Sequence, residues 1–280
     1  MNILISGATG FVGKNLTEMF KSKGHDVQTL GRKNSNNHKL DLANEFSELT
    51  NEYDYIIHCA GIVHNQVHAS AVIPDLILED FFITKNFLKS IKNCRYKKVI
   101  FLSSVSVYGL DNGLNISEET VPKPNSGYGI SKLFSEKLFE FLIKKEKLII
   151  FRLPLVNGPN PKGNIFKLEK AILNNRMILF KKNNSLKSLI EITDLFKIIL
   201  NNCQSLSGIY NIKSFDFKFN DFAKEIAKRH KKKIIELPYS FLNLFIVFCK
   251  IFNLKGIQSS LYKLSTDLTF NDSKLINKIK

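Results

Sequence analysis

The sequence is poor in the features that mark several common classes of protein. Its four cysteines are scattered, and no two of them form a C-x-x-C pair. Such spacing is typical neither of a disulfide framework nor of a zinc site, so we expect reduced thiols and no bound metal. No leader with a basic start and a cleavage site is visible at Met1, and we therefore expect a cytoplasmic protein.

Long apolar runs are also scarce. The most apolar stretch, Ser240 to Leu254 (SFLNLFIVFCKIFNL), is shorter than the roughly 20 residues of a transmembrane helix, and Lys250 interrupts it. We expect a helix packed in a lid or in a dimer interface. Contact with a membrane surface is the less favoured alternative.

Acidic residues are in deficit, because 41 Lys and Arg stand against 25 Asp and Glu, which gives a net charge of +16. The lysines are spread along the chain, and the longest basic run, Arg229 to Lys233, is short. A biased composition is the simplest interpretation, and steering of an anionic substrate such as a nucleotide diphosphate is the alternative. No nucleic-acid-binding motif is present, so we expect no nucleic-acid partner.

The 280 residues, 44% of them hydrophobic, are enough to bury a large core. In the first part of the chain, short apolar runs alternate with amphipathic segments, and this alternation predicts an α/β fold with a doubly wound parallel sheet of the Rossmann type. The predicted strands are Asn2–Ser6, Asp26–Leu30, Tyr55–Cys59, Lys98–Ser103 and Leu148–Arg152, and the predicted helices are Phe11–Lys23, Lys85–Ile91 and Tyr128–Lys144.

The alternation weakens after Pro154. Residues 156–163 (VNGPNPKG) predict a loop, and strands at residues 188–192 and 209–212 are expected to rejoin the first domain. We therefore predict a dinucleotide-binding domain at residues 1–155, rejoined by about residues 187–212. A small C-terminal substrate-binding lid is expected from residues 156–186 and 213–280.

A glycine-rich turn, GATGFVG, follows the first predicted strand and opens the first predicted helix. Gly7 permits the tight turn, Gly10 lets the backbone approach a pyrophosphate, and Gly13 allows close packing of helix and strand. The pyrophosphate then lies at the positive end of the helix dipole. This context predicts a dinucleotide cofactor held by the whole turn, including Thr9, Phe11 and Val12.

The residues after the next strands bear on the choice of cofactor. Gly31-Arg32-Lys33 stands where an acidic residue would hold the ribose of NAD, so Arg32 slightly favours NADP; stacking of Arg32 on the adenine is the alternative. Asp41 and Leu42 are candidates for the adenine edge, and helix capping by Asp41 is the alternative. Cys59, Ala60 and Gly61 supply small residues past which the cofactor can lie.

A second motif lies at the end of the strand predicted over residues 98–103. In FLSSVSVYG, Ser104 stands at the carboxyl edge of the sheet, where open α/β sheets bind ligands, and Ser103 and Ser106 are alternatives to it. Tyr128 and Lys132 share a helix face because they are four residues apart. An ammonium lowers the pKa of a phenol from about 10, so this pair can exchange a proton with a substrate hydroxyl or ketone during hydride transfer.

Together these motifs resemble the extended short-chain dehydrogenase/reductase superfamily, and within it the NAD-dependent epimerase/dehydratase family that acts on nucleotide sugars. The matching segments are GATGFVG, SSVSVYG, YGISK and RLPLVNGPNPKGN. The resemblance implies a catalytic set of Ser104, Tyr128 and Lys132, with Lys132 also holding the nicotinamide ribose, and a homodimer. It further implies substrate contacts from Ser106, Asn157, Asn164 and Lys187.

Two departures from the family pattern narrow the expected activity. The 4,6-dehydratases carry an Asp-Glu pair after the catalytic Ser or Thr, whereas this chain has Val105-Ser106, so dehydration is disfavoured. The hexose 4-epimerases usually have Asn where this chain has Leu155. The Arg-Leu-Pro-Leu-Val segment resembles a subgroup of bacterial surface-polysaccharide enzymes that includes 4-ketoreductases and 4-epimerases of UDP-N-acetyl sugars.

The leading hypothesis is therefore an NAD(P)-dependent oxidoreductase acting at C4 of a UDP-sugar in surface-polysaccharide biosynthesis, as a 4-ketoreductase or a 4-epimerase. The cofactor is NADP or NAD, with NADP slightly favoured by Arg32. One alternative is an epimerase of a lipid-pyrophosphate-linked sugar at the membrane surface. Another is a non-catalytic NAD(P)-binding sensor or assembly module.

Overall fold

The computed structural model describes residues 1–62, 73–252 and 261–279. The strands are β1 (Asn2–Ser6), β2 (Asp26–Gly31), β3 (His38–Lys39), β4 (Glu52–His58), β5 (Arg95–Ser104), β6 (Gly113–Ile116), β7 (Leu148–Leu153), β8 (Leu155–Asn157), β9 (Ile178–Phe180), β10 (Leu186–Glu191), β11 (Gly208–Asn211), β12 (Phe215–Lys218), β13 (Ile235–Leu237) and β14 (Leu268–Phe270). The helices are α1 (Phe11–Ser22), α2 (Ile73–Ser90), α3 (Gly127–Leu142), α4 (Gly163–Leu173), α5 (Ile192–Asn202), α6 (Phe219–Arg229), α7 (Tyr239–Ile251) and α8 (Ser273–Ile279).

Seven parallel strands form the central sheet, in the order β11-β7-β5-β4-β1-β2-β3. Alternate side chains of each strand enter opposite faces, so a sheet covered on both sides needs continuous apolar strands. In β1, Ile3 and Ile5 join one core and Leu4 the other, and all three are fully buried. The predicted Rossmann-type parallel sheet is confirmed.

Helices cover both faces of this sheet. On one face α1 and α5 pack together, with Leu16 and Phe196 among the buried residues. On the other face α2 and α3 pack together over Phe87 and Phe139. The helix predicted at Lys85–Ile91 is the last part of the longer α2. Because all strands are parallel, their carboxyl ends lie at the same edge of the sheet, where ligands bind in folds of this kind.

A second sheet has the order β12-β10-β14-β6, with β8 also paired to β10. The strand predicted at residues 188–192 is present as β10, but it lies in this second sheet and not in the central one. The strand predicted at residues 209–212 is β11, which pairs with β7 at the edge of the central sheet. The domain boundaries themselves stay a prediction.

The apolar stretch that begins at Ser240 lies mainly in α7, and residues 253 and 254 fall outside the described residues. Leu242 is buried, but Phe241, Leu244, Phe245 and Val247 are exposed. The expected packing of this helix into a lid core is therefore limited to one side of it. No helix among the described residues is long and apolar enough to cross a membrane.

The cysteines whose side chains are described form no disulfide. Cys59, Cys94 and Cys203 are free thiols, and the side chain of Cys249 is outside the described set. Burial raises the pKa of Cys94 to about 11 and that of Cys59 to about 12. These thiols therefore stay protonated at neutral pH and are poor nucleophiles.

A buried polar network ties α3 to the strand ends. Glu136 of α3 accepts hydrogen bonds from Arg152 Nε at 3.0 Å, from Arg152 Nη2 at 2.7 Å and from Ser103 Oγ at 2.6 Å. Arg152 Nη1 also donates to the Tyr108 hydroxyl at 3.1 Å, which in turn donates to Asn211 Oδ1 at 2.7 Å. The network joins α3, β5, β7 and β11, so it fixes α3 on the sheet.

We expect Glu136→Gln to lower the free energy of unfolding by about 3 kcal/mol, because the substitution leaves the Arg152 guanidinium buried without a counter-charge. The matched control is Glu140→Gln on the same helix, where the partner Lys137 is exposed and the ion pair contributes about 0.5 kcal/mol or less. Urea unfolding of both variants measures the difference. Equal losses would contradict a structural role for the buried pair.

Candidate active site

The glycine-rich turn packs backbone against backbone. Gly7 has φ +69°, and a Cβ atom there would lie 2.6 Å from the amide nitrogen of Ala60. A Cβ atom on Gly13 would collide with the carbonyl oxygen of Gly7. A side chain at Gly7 would push the turn away from the segment after β4, and a side chain at Gly13 would push α1 away from the turn. The turn is therefore held flat between β1, β4 and α1, as a pyrophosphate site of this fold requires.

The first turn of α1 leaves its amide groups without a capping side chain. Gly10 is the N-cap residue and makes no side-chain cap, and no acidic residue stands in the first turn. Unpaired amide groups at a helix N-terminus favour an anion. Together with the cradle that a Cβ at Gly7 or Gly13 would fill, this fits the pyrophosphate of a dinucleotide. Thr9, Phe11 and Val12 belong to the same segment.

Three residues expected near the adenosine follow strands β2 and β3. Arg32 is exposed and follows β2 directly. Asp41 uses its carboxylate locally, because Oδ1 accepts from Ala43 N at 3.3 Å and Oδ2 accepts from Asn44 Nδ2 at 3.0 Å. The residues after Asp41 form a turn and not a helix, so these contacts stabilise a turn, and a contact of Asp41 with the adenine stays a prediction. Leu42 is buried, and its carbonyl accepts from Asn86.

The serine-rich segment forms the end of β5 and a short 3₁₀ helix, Val105–Tyr108. Ser104 is buried and caps this helix, since its Oγ accepts from Ser106 N at 3.2 Å. The same hydroxyl donates to Ser106 Oγ at 3.1 Å. Ser103 donates its hydrogen bond to Glu136 instead. Ser104 and Ser106 are therefore the candidate catalytic hydroxyls at this strand end.

The N-terminus of α3 packs directly on this serine turn. A Cβ atom on Gly129 would lie 2.5 Å from the carbonyl oxygen of Ser106, so glycine lets the two backbones touch. Ser126 caps α3 by accepting from Gly129 N at 3.2 Å. Tyr128, half-buried, stands between these two residues in the chain. The fold thereby brings the tyrosine motif to the end of β5.

Lys132 lies one turn further along α3 and is buried. Its ammonium nitrogen is 5.8 Å from the ring centroid of Tyr128. A Cβ atom on Gly61 would lie 2.5 Å from the same nitrogen, so the segment Cys59–Gly61 passes directly beside Lys132. The structure thus brings the predicted Tyr–Lys pair together with the predicted cofactor segment after β4.

Asp80 of α2 is a site residue that the sequence pattern does not reveal. Its Oδ2 lies 3.7 Å from Lys132 Nζ, and both side chains are buried. Its Oδ1 accepts from Ile62 N at 2.8 Å. Burial by itself would lower the pKa of Lys132, but the negative charge of Asp80, with Tyr128 and Cys59, outweighs it and raises the pKa. The ammonium therefore stays charged in the protein interior.

Three of the residues expected to bind substrate lie on β8, α4 and β10. Asn157 Nδ2 donates to Glu191 Oε1 at 2.8 Å, and Asn164 is exposed at the start of α4. Lys187 is buried, and its ammonium donates to the carbonyl oxygens of Lys263 at 2.6 Å and Thr266 at 2.5 Å. Burial lowers the pKa of Lys187 to about 8. These contacts hold the C-terminal segment, and a phosphate contact from Lys187 would require their release.

Comparison with known proteins agrees with this geometry. The family model of the NAD dependent epimerase/dehydratase family matches residues 3–212, three quarters of the chain. The chain belongs to this family. It is an enzyme of the NAD-dependent epimerase and reductase type, on a Rossmann fold.

Two curated relatives span most of the chain. The N-acetyl-alpha-D-glucosaminyl-diphospho-ditrans,octacis-undecaprenol 4-epimerase of Escherichia coli O157:H7 is 24% identical over 85% of this chain and 76% of that protein. The UDP-glucose 4-epimerase of Vibrio cholerae is 25% identical over 85% of this chain and 78% of that protein. Among solved structures, the Bordetella bronchiseptica enzyme WbmG in complex with NAD and UDP matches 99% of this chain and 87% of that chain, with a TM-score of 0.72 and 15% identity.

Asp80→Asn removes the negative charge beside Lys132 at nearly constant volume. We expect the pKa of Lys132 to fall, so that turnover is lost on the alkaline side at least about one pH unit earlier than in the unchanged protein. The pH dependence of kcat measures the effect, with Asp221→Asn on the exposed side of α6 as the control. An unchanged alkaline limb in a folded Asp80→Asn protein would refute this role of Asp80.

Proposed function

We propose that this enzyme catalyses reversible oxidation and reduction at C4 of a UDP-linked sugar, as a 4-epimerase or a 4-ketoreductase in surface-polysaccharide biosynthesis. The observation that carries the proposal is the packing of Gly129 on Ser106, which puts Tyr128 at the serine turn while Lys132 lies beside Gly61. Acid–base and cofactor-binding residues thus meet at one sheet edge. The names of the two curated relatives support C4 as the reacting position.

In the proposed reaction, the nicotinamide supplies a hydride acceptor and donor when it is bound. The Tyr128 hydroxyl exchanges a proton with the C4 oxygen of the sugar, because proton transfer must accompany hydride transfer at a carbinol carbon. The Ser104 hydroxyl, which donates to Ser106 Oγ in this structure, turns to donate a hydrogen bond to the same oxygen and holds it in place. Lys132 keeps a positive charge next to the phenol and binds the nicotinamide ribose.

An elimination step has no group to perform it at this position. Val105 is apolar and Ser106 is hydrogen-bonded to Ser104, and neither residue carries a carboxylate that could act as the base and abstract a proton next to a ketone. The lack of an acidic pair at Val105-Ser106 disfavours dehydration, so we propose oxidation and reduction without elimination as the chemistry of the site.

A second candidate substrate is a sugar linked to a lipid pyrophosphate. The Escherichia coli relative carries such a substrate in its name, and it matches 85% of this chain. The reacting C4 and the roles of Tyr128 and Lys132 are the same for both substrates. Only the group beyond the pyrophosphate differs, so assays with the two substrates separate the candidates.

We further propose a homodimer formed by α2 and α3. These helices pack side by side and expose five large apolar side chains among those that the structure describes, one of them Leu142 at the end of α3. Leu78 and Phe82 are four residues apart on α2, and Phe134 and Phe141 are seven apart on α3, so each pair lies on one helix face. Apolar patches of this kind mark protein interfaces, and a mass measurement in solution tests this one.

The central test is Tyr128→Phe, which removes one oxygen atom. We expect turnover of 4-hydroxy and 4-keto UDP-sugars to fall at least about 100-fold while cofactor affinity stays within about twofold, since general acid–base catalysis contributes about that much. Tyr262→Phe, at an exposed tyrosine, is the control. Biological activity that survives Tyr128→Phe would contradict catalysis and favour a cofactor sensor.

The cofactor that co-purifies with the unchanged protein separates the two candidate reactions. Retained NAD would favour the epimerase, and loosely held NADP would favour the reductase.

We propose that Arg32 binds the 2′-phosphate of NADP. Arg32→Ala should then weaken NADP binding about tenfold and leave NAD binding nearly unchanged, because one charge-assisted hydrogen bond contributes about 1.5 kcal/mol or more. Calorimetric titration of both cofactors measures this. Arg95→Ala, at the opposite end of the sheet, is the control. An equal loss for both cofactors would contradict the assignment.

A further inference from the structure

Helix α7 is apolar on the side that faces solvent. At 100° per residue, four of its exposed apolar side chains fall within an arc of about 160° on the side away from the buried Leu242, and the exposed Tyr239 lies outside this arc. A helix at the surface of a globular domain normally turns polar side chains outward. We call these residues the α7 face: Phe241, Leu244, Phe245 and Val247.

Basic residues flank the α7 face. Lys181 and Lys182 follow β9, and Lys181 N donates to the carbonyl of Leu237, just before α7 begins. Lys250 lies in the last turn of α7, and all three lysines are exposed. None of them forms an ion pair with a residue that the structure describes. The chain also has no Asp or Glu between Glu236 and Asp267, so α7 itself adds no negative charge to this surface.

We propose that the α7 face docks on an anionic lipid membrane, with its apolar side chains at the level of the headgroups and the flanking lysines on lipid phosphates. Aromatic and aliphatic side chains combined with lysines are the signals for binding in the plane of a membrane. The 13 residues of α7 extend about 20 Å, less than the roughly 30 Å of a hydrocarbon core, so the helix lies on the membrane and does not span it.

Charge favours a membrane over a second copy of this chain. Each copy has a net charge of +16, and pairing two α7 faces would bring their lysines together. An anionic bilayer instead attracts each nearby lysine by about 1 kcal/mol. The apolar side chains supply the second signal that stable membrane attachment requires.

The test is flotation of the full chain with vesicles of phosphatidylcholine alone or mixed with phosphatidylglycerol, without cofactor or substrate. The outcome is therefore independent of the proposed sugar chemistry. We expect binding to the mixed vesicles, weakening with salt, and much weaker binding to phosphatidylcholine alone. Lys250→Gln should lower the affinity for the mixed vesicles about fivefold.

The decisive variant is Leu244→Ser with Val247→Ser. Leu244 is 63% exposed and Val247 is 52% exposed. We expect it to weaken binding at least about tenfold, because less apolar surface leaves water. The matched control is Leu114→Ser with Val121→Ser, at residues 57% and 68% exposed. Thermal unfolding checks that both variants fold.

Three outcomes would overturn the proposal. One is an unchanged protein that fails to bind the mixed vesicles, and another is equal binding to both kinds of vesicle. The third is an equal loss of binding in the Leu244/Val247 variant and in its control. If the unchanged protein does not bind vesicles but forms larger assemblies, and the Leu244/Val247 variant does not form them, a second copy covers the α7 face instead.

Discussion

The site depends on a single buried charge. The Lys132 ammonium lies in the protein interior between α3, the end of β4 and Asp80, where an isolated charge would be strongly unfavourable. The Asp80 carboxylate 3.7 Å away makes the charge tolerable and raises its pKa. Since Asp80 belongs to α2, this ion pair also links the helix pair on one face of the sheet to the predicted cofactor site.

A second constraint fixes the positions of the proposed catalytic residues Ser104, Tyr128 and Lys132 relative to one another. Glu136 follows Lys132 by one helical turn and grips Arg152 and Ser103, which stand at the ends of β7 and β5. The serine turn and α3 are thereby fixed to the same two strands. A helix held at one end by the Gly129 contact and in its middle by Glu136 has little freedom to tilt, so the N-terminus of α3, which carries Tyr128, keeps its place beside the serine turn.

Local patterns predicted the central fold because parallel, doubly covered strands are continuous apolar runs and the turn at Gly7 has its own chemistry. The order of β1, α1, β2, β4, β5, α3 and β7 follows from those runs. Asp80 was not predictable, since its partner Lys132 lies 52 residues away and nothing in the local sequence marks the pairing. The placement of β10 in the second sheet was not predicted. A local sequence pattern indicates that a segment forms a strand, but which strands it pairs with depends on the fold of the whole chain.

The sequence by itself determined the glycine turn, the Tyr128–Lys132 spacing and the alternation of strands and helices, because each depends on backbone geometry over a few residues. Tertiary structure decided which charges meet and which surfaces stay uncovered. It gave Lys132 its partner, directed Lys187 to the carbonyls of Lys263 and Thr266, and left one side of α7 exposed. Those outcomes depend on distances between segments remote in the chain, which no local pattern encodes.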